Sequence, residues 1–380
     1  MALFLVVFLA VYGSANAYVY LRAYQATEAL PHYLKIVFGI VFWLGAAGYV
    51  LARVLDWDNA LYDLLQFWGA LWFAVILYAF LIVVFVDILR LVDHFFPFIP
   101  YDLFGSVARL KLVGFVGVLL LLIAYVGYGF YNANNIKVKQ LELQLPKRAS
   151  SLTELKVAFL SDTHFSPIGG AKRAEEVVRI LEEIKPDLIL MGGDIVDDKA
   201  HHLIRHEIDK VLHKIKAPLG VITINGNHEF INGYRESTDF IRKSGIELLT
   251  DSMKVIEGGL VILGREDRSI NNFAGKQRAT LHDLMIPAKK LNLPVIMMDH
   301  QPFNLPEAEA EGVDLQLSGH THDGQLFPLN LIVRQVYELS YGYKKRGNTQ
   351  YFVSSGAGVW GPPVRTGSDC EIIELKLKFK

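Results

Sequence analysis

Eight side chains in this sequence have types and spacings that could do chemistry together. Asp162 and His164 stand two apart. Asp194 lies in "GGDIVD", Asn227 and His228 in "GNHE", His300 in "MMDHQP", and His320 and His322 in "LSGHTHDGQLF". Carboxylate, amide oxygen and imidazole together suit borderline divalent metals such as Mn, Fe or Zn. Cys370 is the only cysteine, so a cysteine-held structural zinc and an intramolecular disulfide are both excluded. One metal has no use for so many ligands. Two metals about 3.5–4 Å apart can share a carboxylate and clamp a phosphate between them. Residues two apart on a turn can address neighbouring metals, so His320 and His322 are expected to serve one each.

The elements that must position these residues are legible as apolar runs. "LKVAFLSD" reads as a strand that ends in Asp162. "AKRAEEVVRILEEIK" has helical periodicity and stops before Pro186. "DLILMGGD" and "LGVITINGNHE" repeat the strand-to-turn pattern, and 201–215 reads as a helix between them. Shorter strands are expected at 246–249, 253–263, 295–299, 314–318, 350–354 and 371–379. "IKVKQLELQL" alternates as a strand, with a slip near Gln140 that suggests a bulge. Ligands of open α/β sheets gather beyond the carboxyl ends of strands. Each chemistry-bearing motif stands at such an end.

The set resembles the calcineurin-like metallophosphoesterase family. The resemblance rests on Asp162-x-His164, Gly193-Asp194-x-x-Asp197, Gly226-Asn227-His228-Glu229, His300 and Gly319-His320-x-His322, in that order. It covers roughly residues 155–375. "GHTHDGQ" and "SSGAGVWGPPVR" are most similar to the bacterial YkuE/YaeI-like branch, and the apolar N-terminal region resembles transmembrane members. That branch usually has Gly where Asp323 stands here. The resemblance implies two packed mixed β-sheets flanked by helices. It also implies that Asp162, His164 and His322 bind one metal, that Asn227, His300 and His320 bind the other, and that Asp194 bridges them. His228 would face the leaving group, and Asp197 would orient it.

The expected reaction is hydrolysis of a phosphate ester by a metal-bound hydroxide, without a nucleophilic side chain. His228 would supply a proton to the leaving oxygen. A lipid or lipid-linked phosphodiester or pyrophosphate is the favoured substrate. A soluble nucleotide or phosphoprotein is the alternative, and a non-catalytic metal-binding sensor or scaffold is the third reading. The near balance of 38 Lys+Arg against 39 Asp+Glu gives no sign of a nucleic-acid surface. His201, His202, His206 and His213 read as surface residues of a helix, and Gly356 and Gly358 as loop-formers. "YGYKKRG" reads as a solvated loop or a contact for anionic lipid. Trp360 would line the cleft or dip toward a membrane.

The first third of the chain is different in kind. Apolar runs at about 1–21, 34–52, 65–92 and 110–131 are each long enough to cross a bilayer as a helix. The expected organisation is therefore a transmembrane region at 1–131, a linker with the first strand at 132–153, and the metallophosphoesterase domain at 154–380. Gly114, Gly117, Gly127 and Gly129 would permit close helix packing, and Asp87 is expected near the membrane surface. "HFFPFIPYDLF" fits an interfacial aromatic belt. Ala15-Asn16-Ala17 resembles a cleavage site, but no basic segment precedes it, so a retained helix is expected. Arg22 and Lys35 flank the first loop, and Arg90, Arg109 and Lys111 flank the third. These place both loops in the cytoplasm and the domain outside it, although Lys137, Lys139, Lys147 and Arg148 pull the other way. A reporter fused after Lys380 is expected to work only if it tolerates export. Function restricted to the cytoplasm would overturn this topology, and would revive cleavage after Ala17.

Overall fold

The computed structural model describes residues 2–273 and 275–380, with side chains from Val6 onward. Met1, the start of the first expected span, lies outside the described residues. The chain divides into two compact units, Met1–Phe130 with Gly361–Val364, and Tyr131–Trp360 with Arg365–Lys380.

Four helices open the chain: α1 (Ala2–Ala26), α2 (His32–Leu55), α3 (Ala60–Phe95) and α4 (Val107–Ala133). Pro31 precedes α2, and the Asn59 side chain caps α3 by accepting from Leu61 and Tyr62 amides at 3.0 and 3.1 Å. Helices α2, α3 and α4 are long and apolar enough to cross a membrane. Side chains such as Val54, Leu91, Leu120 and Ile123 point outward. That arrangement is costly in water and ordinary in hydrocarbon.

The closest backbone approach falls between α2 and α3, whereas α4 meets α3 through side chains, with the Tyr78 and Tyr125 rings 4.8 Å apart. A Cβ on Gly69 would lie 2.0 Å from the Tyr49 amide nitrogen, and one on Gly45 would lie 2.4 Å from the Trp72 ring. A Cβ on Gly114, Gly117 or Gly127 would meet nothing within 4 Å, so these glycines do not perform the packing role expected of them. Glycine frequency alone cannot say which helix face meets a neighbour. Asp87 is neutralised by Arg22 at 2.7 Å and Arg90 at 3.1 Å, and accepts from Tyr18. Asn16, within the Ala15-Asn16-Ala17 sequence, accepts from the Trp72 indole at 2.9 Å. Asp93 takes the amides of Phe98 and Ile99 at 2.8 and 2.7 Å, which turns the chain back where α3 ends.

The second unit is an α/β domain with two six-stranded mixed sheets. The first contains β1 (Lys137–Leu145), β2 (Glu154–Leu160), β3 (Leu188–Met191), β4 (Val221–Thr223), β5 (Glu247–Leu248) and β12 (Glu371–Phe379), in the order β1-β12-β2-β3-β4-β5. The second contains β6 (Ser252–Ile256), β7 (Leu260–Gly264), β8 (Val295–Met298), β9 (Leu315–Ser318), β10 (Gly342–Arg346) and β11 (Thr349–Val353), in the order β10-β11-β9-β8-β7-β6.

Strand alternation builds two cores at once. Val157 and Phe159 of β2, with Leu188 and Leu190 of β3, face the second sheet's Ile262, Ile296, Met298, Leu315 and Leu317. Ala158, Leu160, Ile189 and Met191 face the other way, onto Ala174, Val177, Val178 and Leu181 of α5 (Gly170–Ile184). Strands covered on both sides need continuous apolar runs, which is why β2 and β3 lack polar alternation.

Several expected boundaries moved for identifiable reasons. β1 pairs one-to-one with β12 from Lys137 to Leu145, without the bulge suggested near Gln140. The strand expected at 253–263 is a hairpin, because Gly258 and Gly259 adopt φ of 88° and 89°. The helix expected at 201–215 breaks at Glu207, where φ is 55°. His202 is buried, against its expected surface role. "YGYKKRG" contains strand β10, and Lys344 and Arg346 are both paired with Glu338.

Candidate metal centre

Strands β2, β3 and β4 are parallel neighbours, registered Leu160 with Met191 and Met191 with Thr223. Their carboxyl ends therefore align. Asp162, Asp194 and Asn227 follow them, each two to four residues on. In the second sheet β8 and β9 are parallel, registered Met298 with Leu317, and deliver His300 and the turn of His320 and His322.

The turns are strained in a consistent way. Asp162, His164, Asp194, His320 and His322 have φ of 51°, 46°, 52°, 71° and 49°. Non-glycine residues there cost on the order of 1 kcal/mol or more each, and such strain clusters at functional sites. Glycines let backbone amides reach the carboxylates. A Cβ on Gly319 would lie 2.1 Å from Asp162 Oδ2, and one on Gly226 2.1 Å from Asp194 Oδ1. The His320 amide donates to Asp162 at 2.9 and 3.0 Å, and the His228 amide to Asp194 at 2.8 Å.

Three overlapping groups of side chains could each hold a cation: Asp162, His164 and His322; Asp194, His300 and His320; His164, Asp194 and His228. In the first, Nε2 of His322 lies 3.5 Å from Asp162 Oδ1 and 2.9 Å from Nε2 of His164. In the second, Nε2 of His300 lies 3.1 Å from Asp194 Oδ2. That pair is close but not aligned as a hydrogen bond, and Nε2 of His300 has no partner. Buried polar atoms are seldom left so. The geometry is that of two donors to one cation. Oδ1 of Asn227 is likewise buried without a partner. The residues therefore fit a metal pair, with Asp194 common to two groups.

The surrounding contacts fix the rings. Nδ1 of His300 donates to the Gly192 carbonyl at 2.8 Å, which leaves Nε2 with its lone pair. Nδ1 of His228 meets Asp197 at 2.6 Å. Arg365, fully buried, donates to Nδ1 of His322 at 2.8 Å. Arginine can only donate, so in the neutral ring the proton of His322 sits on Nε2, toward His164. Glu229 collects the amides of Asp194, Ile195, Val196 and Gly226 at 2.6–3.1 Å and thereby holds two motif turns together.

The carboxylates and imidazoles of the site shift one another. Burial alone would push the Asp194 carboxyl up, but the charges on His300 and His228 outweigh it and hold it well below the usual range. Asp162 is raised, chiefly by burial. Burial opposes charge on His300 too, yet Asp194 and Asp162 raise it well above the ordinary value. His228 is treated likewise by Asp197 and Asp194 and reaches about 9. His320 is held down to about 3, by burial and then by His300, and His322 also lies well below its usual value, by burial and then Arg365. Neutral imidazoles beside buried carboxylates make a site in which a divalent ion can replace protons.

All eight residues singled out by spacing, and Asp197, are brought together here. Three contributors carried no metal-site role in the sequence. Glu229 stood there only as a motif letter, and Arg365 only as the last residue of "SSGAGVWGPPVR". The segment around Gly356 and Gly358 packs directly on the Asp162 turn, with Gly358 N donating to Asp162 O at 2.8 Å. A Cβ on Gly358 would stand 2.0 Å from Thr163 O, so the two glycines in "SSGAGVW" were the available signal. Trp360 is 57% exposed, with its ring 6.1 Å from that of His228.

Comparison with known proteins points the same way. Residues 155–324 match the family described as calcineurin-like phosphoesterase. An uncharacterized metallophosphoesterase of Helicobacter pylori is 33% identical over 270 residues, which are 69% of this chain and 70% of that protein. The uncharacterized metallophosphoesterase YkuE of Bacillus subtilis is 30% identical over 238 residues, 59% of this chain and 79% of its own. A zebrafish protein named as a transmembrane protein with metallophosphoesterase domain is 30% identical over 267 residues, 66% of this chain and 60% of its own.

Removing the space beneath the carboxylates is expected to remove the metal. Gly319→Ala and Gly226→Ala should each lower bound metal measured by elemental analysis. Chelator should lower the unfolding temperature of the detergent-solubilised wild type and leave these variants nearly unchanged, because a ligand stabilises only the state that binds it. Full metal content in Gly319→Ala would contradict the cradle geometry.

Proposed function

Because the chain belongs to the calcineurin-like metallophosphoesterase family, we propose that it is a membrane-anchored dinuclear phosphoesterase acting on a lipid or lipid-linked phosphate. The observation that carries the catalytic part is the convergence of buried Asp and His side chains that could hold cations. Asp162, His164 and His322 would hold one ion, Asn227, His300 and His320 would hold the other, and Asp194 would serve both. Manganese, iron and zinc suit these ligands. Bound ions of this kind lower the pKa of water and neutralise charge on the phosphoryl oxygens.

The chain's own groups do the rest. Holding an ion through Nε2 of His322 requires the proton to leave that atom. Arg365 then keeps its other acceptor, Gly358 O, at 2.5 Å. Asp197 occupies Nδ1 of His228, so Nε2 is the atom left to face the leaving oxygen and give it a proton. His228 also belongs to one of the three cation-holding groups, which makes a ligand role its rival assignment.

The lipid part rests on different observations. Three helices are long and apolar enough to span a bilayer, and α1 is read here as a fourth span. A tether raises the effective concentration of the domain at the bilayer. The helix Leu329–Val336 follows the His322 turn by a few residues, and its Leu331, Ile332 and Val336 are exposed, as is Phe327 before it. An apolar stripe beside a metal centre suits an acyl chain or the bilayer itself. A soluble nucleotide or phosphoprotein substrate would leave this stripe without a use. A non-catalytic metal-binding sensor or scaffold would use the ligand set but leave His228, oriented by Asp197, without a use. The domain is placed outside the cytoplasm on the Lys/Arg bias of the first and third loops.

Two measurements test these readings. His228→Ala should keep both metals and lose about 10²–10⁴-fold in kcat on an unactivated phosphodiester. The loss should shrink on a nitrophenyl ester, whose leaving group needs little protonation. Equal losses on both, or loss of metal, would count against His228 as proton donor. For the substrate, Leu331→Asp with Ile332→Asp should cut hydrolysis of detergent-dispersed lipid phosphodiester by about tenfold or more, the scale of two lost apolar contacts. Hydrolysis of a soluble phosphodiester should hold. A wild type that prefers the soluble ester, with no effect of the double substitution, would favour the soluble reading.

A further inference from the structure

The loop after β7, Arg265-Glu266-Asp267-Arg268, is rich in charge, and most of that charge is matched. Arg265 meets Asp299 at 3.2 Å and Glu307 at 3.1 Å. Arg278, which packs nearby, meets Asp299 at 3.0 Å. Glu266 accepts from Asn225 at 2.9 and 3.2 Å, and Asp267 from Gln301 at 3.0 and 2.9 Å. Arg268 is the exception. Among the described residues its guanidinium has no carboxylate partner and no hydrogen bond, and its Nε is buried without a partner. Its one contact of note is the face of the Phe303 ring, 5.3 Å from the guanidinium carbon to the centroid.

The carboxylates nearest in charge, Asp299 and Glu307, are already paired with Arg265 and Arg278, and a half-buried arginine with no contact ion of its own is costly. Burial, and then the neighbouring Arg278, disfavour its charge and lower its pKa. The usual remedy is an anion. Position says which anion. The Phe303 ring packs at a tilt against that of Tyr337, 4.8 Å away, and the Tyr337 ring lies 6.2 Å from that of His320. On the loop's other side, Asp267 takes the side chain of Gln301, the residue after His300. Arg268 thus stands at the end of an aromatic wall that begins at the metal centre. A guanidinium stacked on an aromatic ring still presents its planar fork of N–H donors, which matches a phosphate.

We propose that Arg268 binds a second phosphate of the substrate, beyond the one hydrolysed at the metal centre. The substrate class is then an ester that carries a further phosphate group, not a simple diester with neutral arms. The inference rests on the phosphoesterase reading for the identity of the first phosphate. The aromatic wall of Phe303 and Tyr337 would lie along whatever joins the two groups.

The test uses the full chain in detergent with divalent metal, and the probes are methylphosphonate and a series of alkane diphosphonates with spacers of about one to six carbons. Binding is followed by calorimetry. In the wild type at least one diphosphonate should bind about 10–100-fold tighter than methylphosphonate, the scale of a charge-assisted contact. Arg268→Ala should abolish that gain while methylphosphonate binding stays within about twofold. Arg268→Lys should keep part of it. The inference is overturned if no diphosphonate gains over methylphosphonate, if Arg268→Ala keeps the gain, or if it weakens both probes equally. Metal-dependent hydrolysis of a nitrophenyl phosphodiester by the wild type reports separately on the reading beneath it. Its absence beside an Arg268-dependent gain would remove the enzyme and keep the anion site, and the converse would do the opposite.

Discussion

Two buried carboxylates constrain this domain more than any other feature. Asp162 and Asp194 are 0% and 2% exposed. Their charges cannot be left alone in such a place, because removing an ion from water costs several kcal/mol even after relaxation. The domain answers with backbone amides on their oxygens, His320 N on Asp162 and His228 N on Asp194, and with imidazoles packed around them. Amides and neutral rings do not supply a full compensating charge. The site therefore favours cations, and the same carboxylates raise His300 and His228 above the ordinary imidazole value.

Meeting that demand dictates much of the fold around it. The carboxylates must come close without their strands colliding, so β2 and β3 are parallel neighbours whose ends fall in register. The amides must reach them, so Gly226 and Gly319 sit where a Cβ would strike an oxygen. The ligand turns must reverse sharply, so five non-glycine residues adopt left-handed φ. The remaining rigidity comes from Glu229, whose four amide contacts tie the Asp194 turn to the Gly226 turn. A cavity-filling change at any of these points acts on the metal site even where it touches no ligand.

The site was more legible in the sequence than the architecture holding it. Ligand types stand at strand ends because parallel strands deliver them there, and that regularity shows in a linear sequence as apolar run, then Asp, Asn or His. Contacts made across long separations leave no such trace. Arg365 reaches His322 through a fold no spacing reveals, and Arg268 is distinguished only by the partners it lacks. Helices with weaker signals were also missed, such as Tyr234–Lys243 and Leu281–Lys290. The second contains Pro287, which reads as a helix breaker and is accommodated here within the element. In the membrane region the lengths of the apolar runs were plain, whereas the packing face was not. Gly45 and Gly69 matter and Gly114 does not, because helix contact depends on azimuth, which a run of apolar residues does not encode.

One buried carboxylate ties the site to the apolar stripe. Asp323 adopts φ of 43°, a conformation glycine would take without cost. Asp tolerates it better than most residues, and brings a carboxylate to the turn. That carboxylate is buried, accepts from Nε and Nη2 of Arg334 at 3.1 and 2.7 Å, and lies 3.3 Å from Ser340 Oγ. Arg334 belongs to the helix Leu329–Val336, whose Leu331 and Ile332 face outward. The arginine is half-exposed, so the pair contributes little to stability. Its effect is positional. It fixes the apolar helix to the turn that carries His320 and His322, one residue from a side chain that could hold a cation. A glycine at this position would leave the turn its shape and the helix without that tether. The backbone strain at Asp323 is the cost of coupling the two: the turn gives up its relaxed φ, and the helix gains a fixed place beside the Asp162 and His322 group.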